Sequence, residues 1–202
     1  MRYSIGTFTC VLLISALACA TSAQAETIID FEEFGDGDNL HNLDLGGVTL
    51  LGYGSNVEVF DNRFGAGFHS STKSISSPLG AATGNPLVGV FHVPVQSLSL
   101  WAGDSGGFGE LDSWRLEAYD APAGGNLVAA VSSIVWDGAP YQELSVAGET
   151  IWRFEANWTG PTNLGIAFDD LHFQAIPEPS SLVLAVVGLA AGLLFARRRR
   201  AQ

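Results

Sequence analysis

Cysteine is absent from this chain after residue 19. The 202-residue sequence has two cysteines, Cys10 and Cys19, and both lie in an N-terminal segment with the features of a removable signal. Without that segment the protein has no disulfide, no thiol nucleophile and no thiolate metal site. An exported domain of this kind must be stabilised by its hydrophobic core, with or without a bound metal ion.

Basic residues are scarce between the two ends of the chain. Residues 26–176 contain 20 Asp and Glu but only four Lys and Arg, which gives a net charge of 4 − 20 = −16. Nucleic acids and anionic lipid surfaces are therefore excluded as partners, because the cations that bind phosphate are missing. Metal cations and neutral sugars are compatible with this charge, which also keeps an exported protein in solution.

Sustained helical periodicity is lacking as well. Short apolar or alternating runs recur instead, separated by Gly, Asp, Asn and Pro; they are residues 27–31, 48–51, 57–60, 87–93, 98–102, 114–119, 127–135, 151–156 and 165–173. The run Trp114–Tyr119 alternates with a period of two, which is typical of a strand with one wet face. We predict an all-β protein, an antiparallel β-sandwich of the jelly-roll type.

The N-terminal segment, residues 1–25, is predicted to be a secretory signal peptide. An apolar stretch is followed by Ala23-Gln24-Ala25, which fits the small-x-small cleavage pattern, so that Glu26 would begin the mature protein. A lipoprotein signal ending at Cys19 is the alternative, although the leucine that precedes it by two residues is misplaced for that pattern.

The C-terminal segment, residues 176–202, has three parts in a fixed order. The first is a triplet that disfavours helix and keeps the backbone extended, Pro177-Glu178-Pro179. The second, residues 180–196, is apolar apart from two serines and would span roughly 25 Å as a helix, slightly less than the ~30 Å core of a bilayer. We predict a single transmembrane helix there. The third part is a stop-transfer block of positive charge, Arg197, Arg198, Arg199 and Arg200.

This arrangement resembles the PEP-CTERM sorting signal of Gram-negative bacteria, in which a PEP triplet precedes a short apolar helix and a terminal arginine cluster. The resemblance implies that a membrane-embedded cysteine transpeptidase, exosortase, recognises the tail and cleaves near the triplet. Pro177, Glu178 and Pro179 would then be a processing motif. It also implies export, an intermediate held in the inner membrane, and delivery to the cell surface or to an extracellular matrix rich in exopolysaccharide.

Acidic residues stand near both ends of the predicted sandwich, and the two terminal strands of a jelly roll often pair, which would bring these acidic stretches together. Alternate side chains of a strand share a face, and gathered carboxylates repel one another unless a cation neutralises them. The opening Ile-Asp-Phe-Glu and the closing Ala-Phe-Asp-Asp-Leu-His-Phe resemble the terminal strands of galactose-binding-like jelly rolls found in carbohydrate-binding modules. That resemblance implies a structural Ca²⁺ site, with Asp30, Glu32, Asp169 and Asp170 as the candidate ligands.

Two further groups of residues have an ordinary and a functional interpretation. Asp36-Gly37-Asp38-Asn39 has the composition of a calcium loop but lacks the twelve-residue pattern and its closing glutamate, which favours a plain turn. Tryptophans can stack on sugars, but aromatic residues also fill sandwich cores. Trp114 and Trp152 lie within strand patterns and are predicted to be core, whereas Trp136 and Trp158 stand beside turn residues and are predicted to be exposed.

The sequence as a whole predicts three regions: a signal peptide at 1–25, an exported β-sandwich at 26–175 and a sorting tail at 176–202. We expect a non-enzymatic surface or matrix protein, with weak glycan binding and a structural calcium ion. Two alternatives stay open: a secreted hydrolase acting on polysaccharide, and a purely structural matrix protein without a ligand.

Overall fold

The structure is a computed structural model, and it describes residues 26–52, 56–61, 72–76, 86–104, 113–134, 141–159 and 166–176, together with Gly188. The described strands belong to one compact unit, Ala25–Ile176. The predicted signal peptide, the Pro-Glu-Pro triplet and the arginine block lie outside the described residues, as does the apolar span except for Gly188. Within the described part of the chain, no helix is long and apolar enough to cross a membrane.

Nine strands, all paired antiparallel, form the unit. They are β1 (Thr27–Ile29), β2 (Val48–Gly52), β3 (Glu58–Asp61), β4 (Lys73–Ser76), β5 (Leu87–Asp104), β6 (Trp114–Tyr119), β7 (Leu127–Ser132), β8 (Gln142–Trp158) and β9 (Ile166–Ala175). The strand order is β3-β4-β9-β5-β8-β6-β7, with β1 also paired to β9 and β2 to β5.

Two long strands, β5 and β8, contribute to both layers of the sandwich. In what we name the first layer, residues 87–90 of β5 pair with β2 and with residues 153–156 of β8, which continues to β6 and β7. In the second layer, residues 95–104 of β5 lie between β9 and the first half of β8, and β9 pairs with β1 and β4.

The crossing from one layer to the other occurs at a bulge around Pro94. The register of β5 against β8 shifts between Val90 and Val95. Proline has no amide hydrogen to donate to a ladder and is therefore confined to edges and bulges of sheets. At this bulge β5 bends, and two neighbouring residues, His92 and Val93, are both exposed.

The core lies between the two layers and consists of apolar side chains on alternate positions. Along β6 the burial alternates strictly, as its sequence predicts. The Trp114 ring, fully buried, meets Phe168 of the other layer edge-on with 5.4 Å between ring centroids. Phe91 packs against Phe173 at 5.0 Å. These aromatic pairs fasten the layers face to face, and the predicted antiparallel β-sandwich is confirmed.

Three strand predictions differ from the structure. The runs 87–93 and 98–102, predicted as two strands, are parts of the single strand β5. Strand β4 lies between the predicted runs 57–60 and 87–93, in a turn-rich stretch that was expected to hold at most a short strand. The first half of β8, from Gln142, was not predicted. Both missed segments have polar side chains on one face and few apolar residues, so that only their neighbours in the sheet stabilise them.

Candidate functional site

The two acidic stretches at the ends of the sandwich are brought together, as predicted. Strands β1 and β9 pair antiparallel, with Ile29 opposite Leu171. Asp30 at the end of β1 is exposed, whereas Asp169 and Asp170 on β9 are 0% and 4% exposed. Asp170 has a positive φ of 39° and lies where β9 shifts register against β5. This shift is a β-bulge, and because of it two consecutive carboxylate side chains, those of Asp169 and Asp170, are both buried.

The Glu32 carboxylate binds the start of β4 through hydrogen bonds, a structural role that the sequence did not reveal. Its Oε1 accepts hydrogen bonds from the backbone amides of Thr72 and Lys73 at 2.9 and 2.8 Å, and its Oε2 accepts one from the Thr72 hydroxyl at 3.0 Å. The Lys73 ammonium in turn donates to the carbonyl oxygens of Glu32 and Phe34. The Glu32 carboxylate thus holds the start of β4 against the β1–β2 loop.

The proposed calcium ligands are engaged locally. Asp30 Oδ1 accepts from the Glu32 amide at 3.2 Å, and Asp169 Oδ1 accepts from the Asp170 amide at 2.9 Å. Among the residues that the structure describes, no three His, Cys, Asp or Glu side chains are grouped so that they could hold a metal ion. As described, these four acids do not form a ligand set, and the calcium site stays a prediction.

The Asp36–Asn39 stretch forms a turn that is hydrogen-bonded to β3. Asp38 Oδ2 accepts from the Gly35 amide at 2.7 Å, and Asn39 Oδ1 accepts from the Val57 amide at 3.0 Å. Gly37 adopts a positive φ of 86° and donates its amide to Val59 O at 2.8 Å. These contacts are those of a plain turn, the favoured interpretation of this stretch.

A cavity of about 330 Å³ opens on the outer face of the second layer. Four neighbouring strands build it in the order β1-β9-β5-β8. The residues of these strands whose side chains lie on the outer face and line it are Ser97, Ser99, Glu143, Ser145, Ala147 and His172, and Glu26, just before β1, lines it as well. We call this cavity the serine groove. Its volume is at the lower end of the range for small-ligand sites.

The register of the strands explains why these side chains meet. Ser99 stands opposite Ser145 on one side and opposite His172 on the other. Residues opposite each other in an antiparallel pair point to the same face. Because serine and alanine are small, this part of the face is left open and forms a groove. Trp101 stands opposite Glu143, so it lies on the same face, at the end of the groove.

The groove is acidic and rich in hydroxyl groups. Its ionisable residues are Glu26, Glu143 and His172, and the Glu26 carboxylate lies 3.5 Å from His172 Nδ1. None of the described residues that line it is Lys or Arg. Serine hydroxyls both donate and accept hydrogen bonds, and carboxylates accept them. This arrangement suits a ligand that carries several hydroxyl groups and no negative charge.

The outer face of the first layer has the opposite character. Arg153 pairs with Glu155, donates to Gly124 O at 2.9 Å and stacks over the Tyr119 ring at 4.0 Å. Glu117 accepts from the Tyr119 hydroxyl at 3.0 Å and from other neighbours on this face, Arg115 and Asn157. Burial, together with the hydrogen bond to Glu117, raises the pKa of the Tyr119 phenol above its ordinary value. These side chains pair with one another, which leaves few of their polar groups for a ligand.

The tryptophans divide between core and surface. Trp114 is core as predicted. Trp152 was also predicted to be core, but it is half-buried, on the face of β8 opposite to the buried Ile151. Trp158 is also half-buried and packs against the core, which corrects the expectation of exposure that its neighbouring turn residues suggested. Trp136 lies outside the described residues. Among the tryptophans described, Trp101 is the one beside the serine groove, and sequence position alone did not single it out.

Comparison with known proteins identifies the tail. Residues 175–200 match the PEP-CTERM protein-sorting motif, which includes the predicted Pro177-Glu178-Pro179 triplet. The motif indicates an exported protein that is anchored by its tail and then processed at the membrane by exosortase. No curated protein is significantly similar in sequence to this chain.

Solved structures with the same fold include adhesin domains. The K2 adhesin domain of Lys-gingipain is 14% identical over 74% of this chain and 99% of its own, with a TM-score of 0.50. The K1 adhesin domain of Lys-gingipain from Porphyromonas gingivalis W83 is 12% identical over 76% and 99%, with a TM-score of 0.47. A family 6 carbohydrate-binding module is 16% identical over 74% and 94%, with a TM-score of 0.37. At 14% identity the likeness to the K2 domain extends to the β-sandwich fold alone.

Proposed function

We propose that this protein is an exosortase substrate of a Gram-negative bacterium. In this proposal its β-sandwich works without catalysis at the cell surface or in the extracellular matrix, where it binds a neutral glycan weakly. The sorting motif at residues 175–200 supports the route of export. The serine groove, with hydroxyls and carboxylates but no described basic side chain lining it, is the single observation that supports glycan binding.

Charge selects the class of glycan. The exported region carries a net charge of 4 − 20 = −16, and two carboxylates lie at the groove itself. A polymer with uronate or sulfate groups would be repelled by both. A neutral sugar can donate its hydroxyls to Glu26 and Glu143 and exchange hydrogen bonds with the serines. The Trp101 ring offers an apolar surface against which a sugar ring can pack.

The spacing of the two groove carboxylates favours binding over hydrolysis. Glu26 precedes β1 and Glu143 is on β8, and two strands, β9 and β5, lie between these. The register sets Glu26 level with Ala147, four residues along β8 from Glu143. Three interstrand spacings of ~4.8 Å and an offset of about 13 Å along the strands therefore place the two backbones roughly 19 Å apart. Glycosidases that use two carboxylates hold them about 5–9.5 Å apart. Glu26 and Glu143 are therefore poorly placed as a catalytic pair.

A bulky residue in the groove tests glycan binding. Ala147 is exposed and lines the groove, so Ala147→Trp should fill it and reduce the affinity for a neutral oligosaccharide at least tenfold, with the melting temperature unchanged. The ligand is first selected on a glycan array with residues 26–176, and affinities are measured by titration calorimetry. Ala123→Trp, at an exposed turn position of the first layer, is the matched control and should bind as the unmodified protein does.

Two results would contradict the glycan proposal. Binding that survives Ala147→Trp would move the site elsewhere on the protein. An array without any neutral glycan ligand would favour the structural matrix alternative, and turnover of a polysaccharide would favour the hydrolase.

Sorting is tested separately, by replacing Pro177, Glu178 and Pro179 with alanine. If exosortase reads the triplet, the variant should accumulate in the inner membrane at full length, while the unmodified protein reaches the surface or medium in a shorter form. Fractionation and mass spectrometry distinguish the two. Unchanged delivery of the variant would refute processing at this triplet, whatever the glycan array shows.

A further inference from the structure

Sheet edges are sites where another strand can add, and most edges of this sandwich are protected. An edge strand presents unpaired backbone amides and carbonyls, which natural proteins cover with loops or guard with charged residues and bulges. The described strands leave five edges: β2 and β7 in the first layer, and β1, β3 and the first half of β8 in the second.

Loops cover two of these edges. The β1–β2 loop donates the Asn42 amide to Leu50 O at 2.8 Å, and Leu45 donates to Val48 O at 2.9 Å, so that β2 is paired along its outer side. The same loop covers β3, where Val59 N donates to Asp38 O at 2.9 Å.

Charge and irregularity guard the third edge. The first half of β8 carries Glu143, which is exposed, and its register against β5 shifts between Val95 and Ser97. A carboxylate and a bulge are two of the devices that prevent pairing between edges. A fourth edge, β1, is protected by its length of three residues and by the exposed carboxylates of Glu26 and Asp30 on either side of it.

Strand β7 has none of these protections except at its first residues. A bulge at Val128 separates the pairs Ala118–Ala129 and Tyr119–Leu127, and the pairing with β6 is regular from Ala129 to Ser132. No backbone hydrogen bond of the described residues is made along the outer side of that regular part.

The chain segment that contains β7 is itself uncharged and partly apolar. Residues 121–134 contain no Asp, Glu, Lys or Arg. Leu127 is 48% exposed, and Ile134, at 73%, is the most exposed large apolar side chain among the described residues. An uncharged, exposed edge is the feature that admits a further strand.

We propose that β7 pairs with β7 of a second copy of this chain, joining the two first layers into one continuous antiparallel sheet. A strand can pair with its own copy antiparallel about a twofold axis, which gives a closed dimer. Antiparallel partners share a face, so an axis near the strand centre places Ala130 opposite Ala130 of the second copy. The small alanines at the centre allow the strands to approach.

Charge explains why the second copy meets at this edge. Two domains of net charge −16 repel each other, and the uncharged strand is where that repulsion is least. Salt screens charges beyond a Debye length of ~8 Å at physiological ionic strength, whereas strand pairing and apolar contact survive screening. The dimer is therefore small in area and weak, and added salt strengthens it.

Cysteine cross-linking tests the pairing in the exported protein. The chain has no cysteine after residue 19, so the processed protein carries only the cysteine that is introduced. Residues facing each other across an antiparallel axis lie within the Cα range of a disulfide, about 4.4–6.8 Å. Full-length chains with Ala130→Cys or Ala129→Cys, expressed in an exosortase-bearing host, should give a reducible dimer at one of these positions, and Ala123→Cys should not.

Sedimentation of the 26–176 unit, which contains the whole described core, provides the second readout. We expect a monomer–dimer equilibrium whose dimer fraction rises with protein concentration and with salt. Val128→Asp should lower the dimer fraction at least fivefold. Ile28→Asp, at an exposed apolar residue on the second layer, should leave it unchanged. A monomer at all concentrations, equal cross-linking of Ala123→Cys, or a dimer that salt weakens would each overturn the proposal.

Discussion

The two outer faces of the sandwich have the same strand geometry and different side-chain chemistry. On the first layer, Arg153 and Arg115 are interleaved with Glu117 and Glu155, and the long side chains pair and cover the sheet. On the second layer, serines occupy the central strands and no described Lys or Arg lines the groove. We call the outer face of the first layer the closed face, because long side chains of opposite charge pair and cover it. We call the outer face of the second layer the open face, because its small serine side chains leave the groove uncovered.

The largest effect on stability is expected from a substitution of Arg153 on the closed face. Its side chain is 13% exposed, and Arg153→Met leaves Glu155 without its partner and removes the cation from the Tyr119 ring. We expect a loss of about 2–3 kcal/mol in the free energy of unfolding, because a partly buried carboxylate is then uncompensated. Urea denaturation of the 26–176 unit measures it.

Arg115→Met is the matched control on the same face. Its side chain is 40% exposed, so its ion pair with Glu117 is screened by solvent and should contribute less than about 1 kcal/mol. Equal losses from the two variants would mean that burial does not distinguish the two pairs.

A smaller effect is expected from the pH dependence of the closed face. Burial and the Glu117 hydrogen bond raise the pKa of Tyr119 above 10.0, so the folded protein holds the phenol proton more tightly than the unfolded chain. The corresponding stability is complete below pH 10 and is lost as the pH rises through the folded pKa. Tyr119→Phe should therefore lose less stability than the unmodified protein between neutral pH and pH 11, measured by thermal melting. An identical alkaline slope in both proteins would contradict this assignment.

The smallest effect is expected from calcium at the edge of the open face. A Ca²⁺ ion bound weakly beside Asp30 and the buried pair Asp169–Asp170 would raise the melting temperature by about 2–4 °C in excess calcium, which corresponds to ~1 kcal/mol. Asp30→Asn should reduce this rise, and magnesium should not reproduce it. An unchanged melting curve in calcium would remove the calcium prediction.

The strands were predictable where one side chain in two is apolar. Trp114 to Tyr119 alternates in sequence and in burial alike, and the pairing of the terminal strands followed from the predicted sandwich. The bend of β5 at Pro94 was not predictable, because a proline between two apolar runs is equally typical of a loop. β4 was missed because its position depends on Glu32, a residue about forty positions earlier in the chain.

The serine groove illustrates the limit most clearly. Ser99 and Ser145 are unremarkable in sequence and 46 residues apart, and only the register of β5 against β8 sets them side by side. The predicted site residues were acids in or beside the first and last strands, and their charge made them recognisable in the sequence. The groove depends on small neutral residues, which give no signal until their neighbours are known.

The sequence by itself determined the sorting signal of this protein and most of its strands. A sorting tail acts through the order of its parts along the chain, and a strand through the alternation of its own residues, so both are local. The tertiary structure decided which face of the sandwich is open, what Glu32 does and which sheet edge is left unprotected. Each of these depends on contacts between segments far apart in sequence, which form only when the two layers pack.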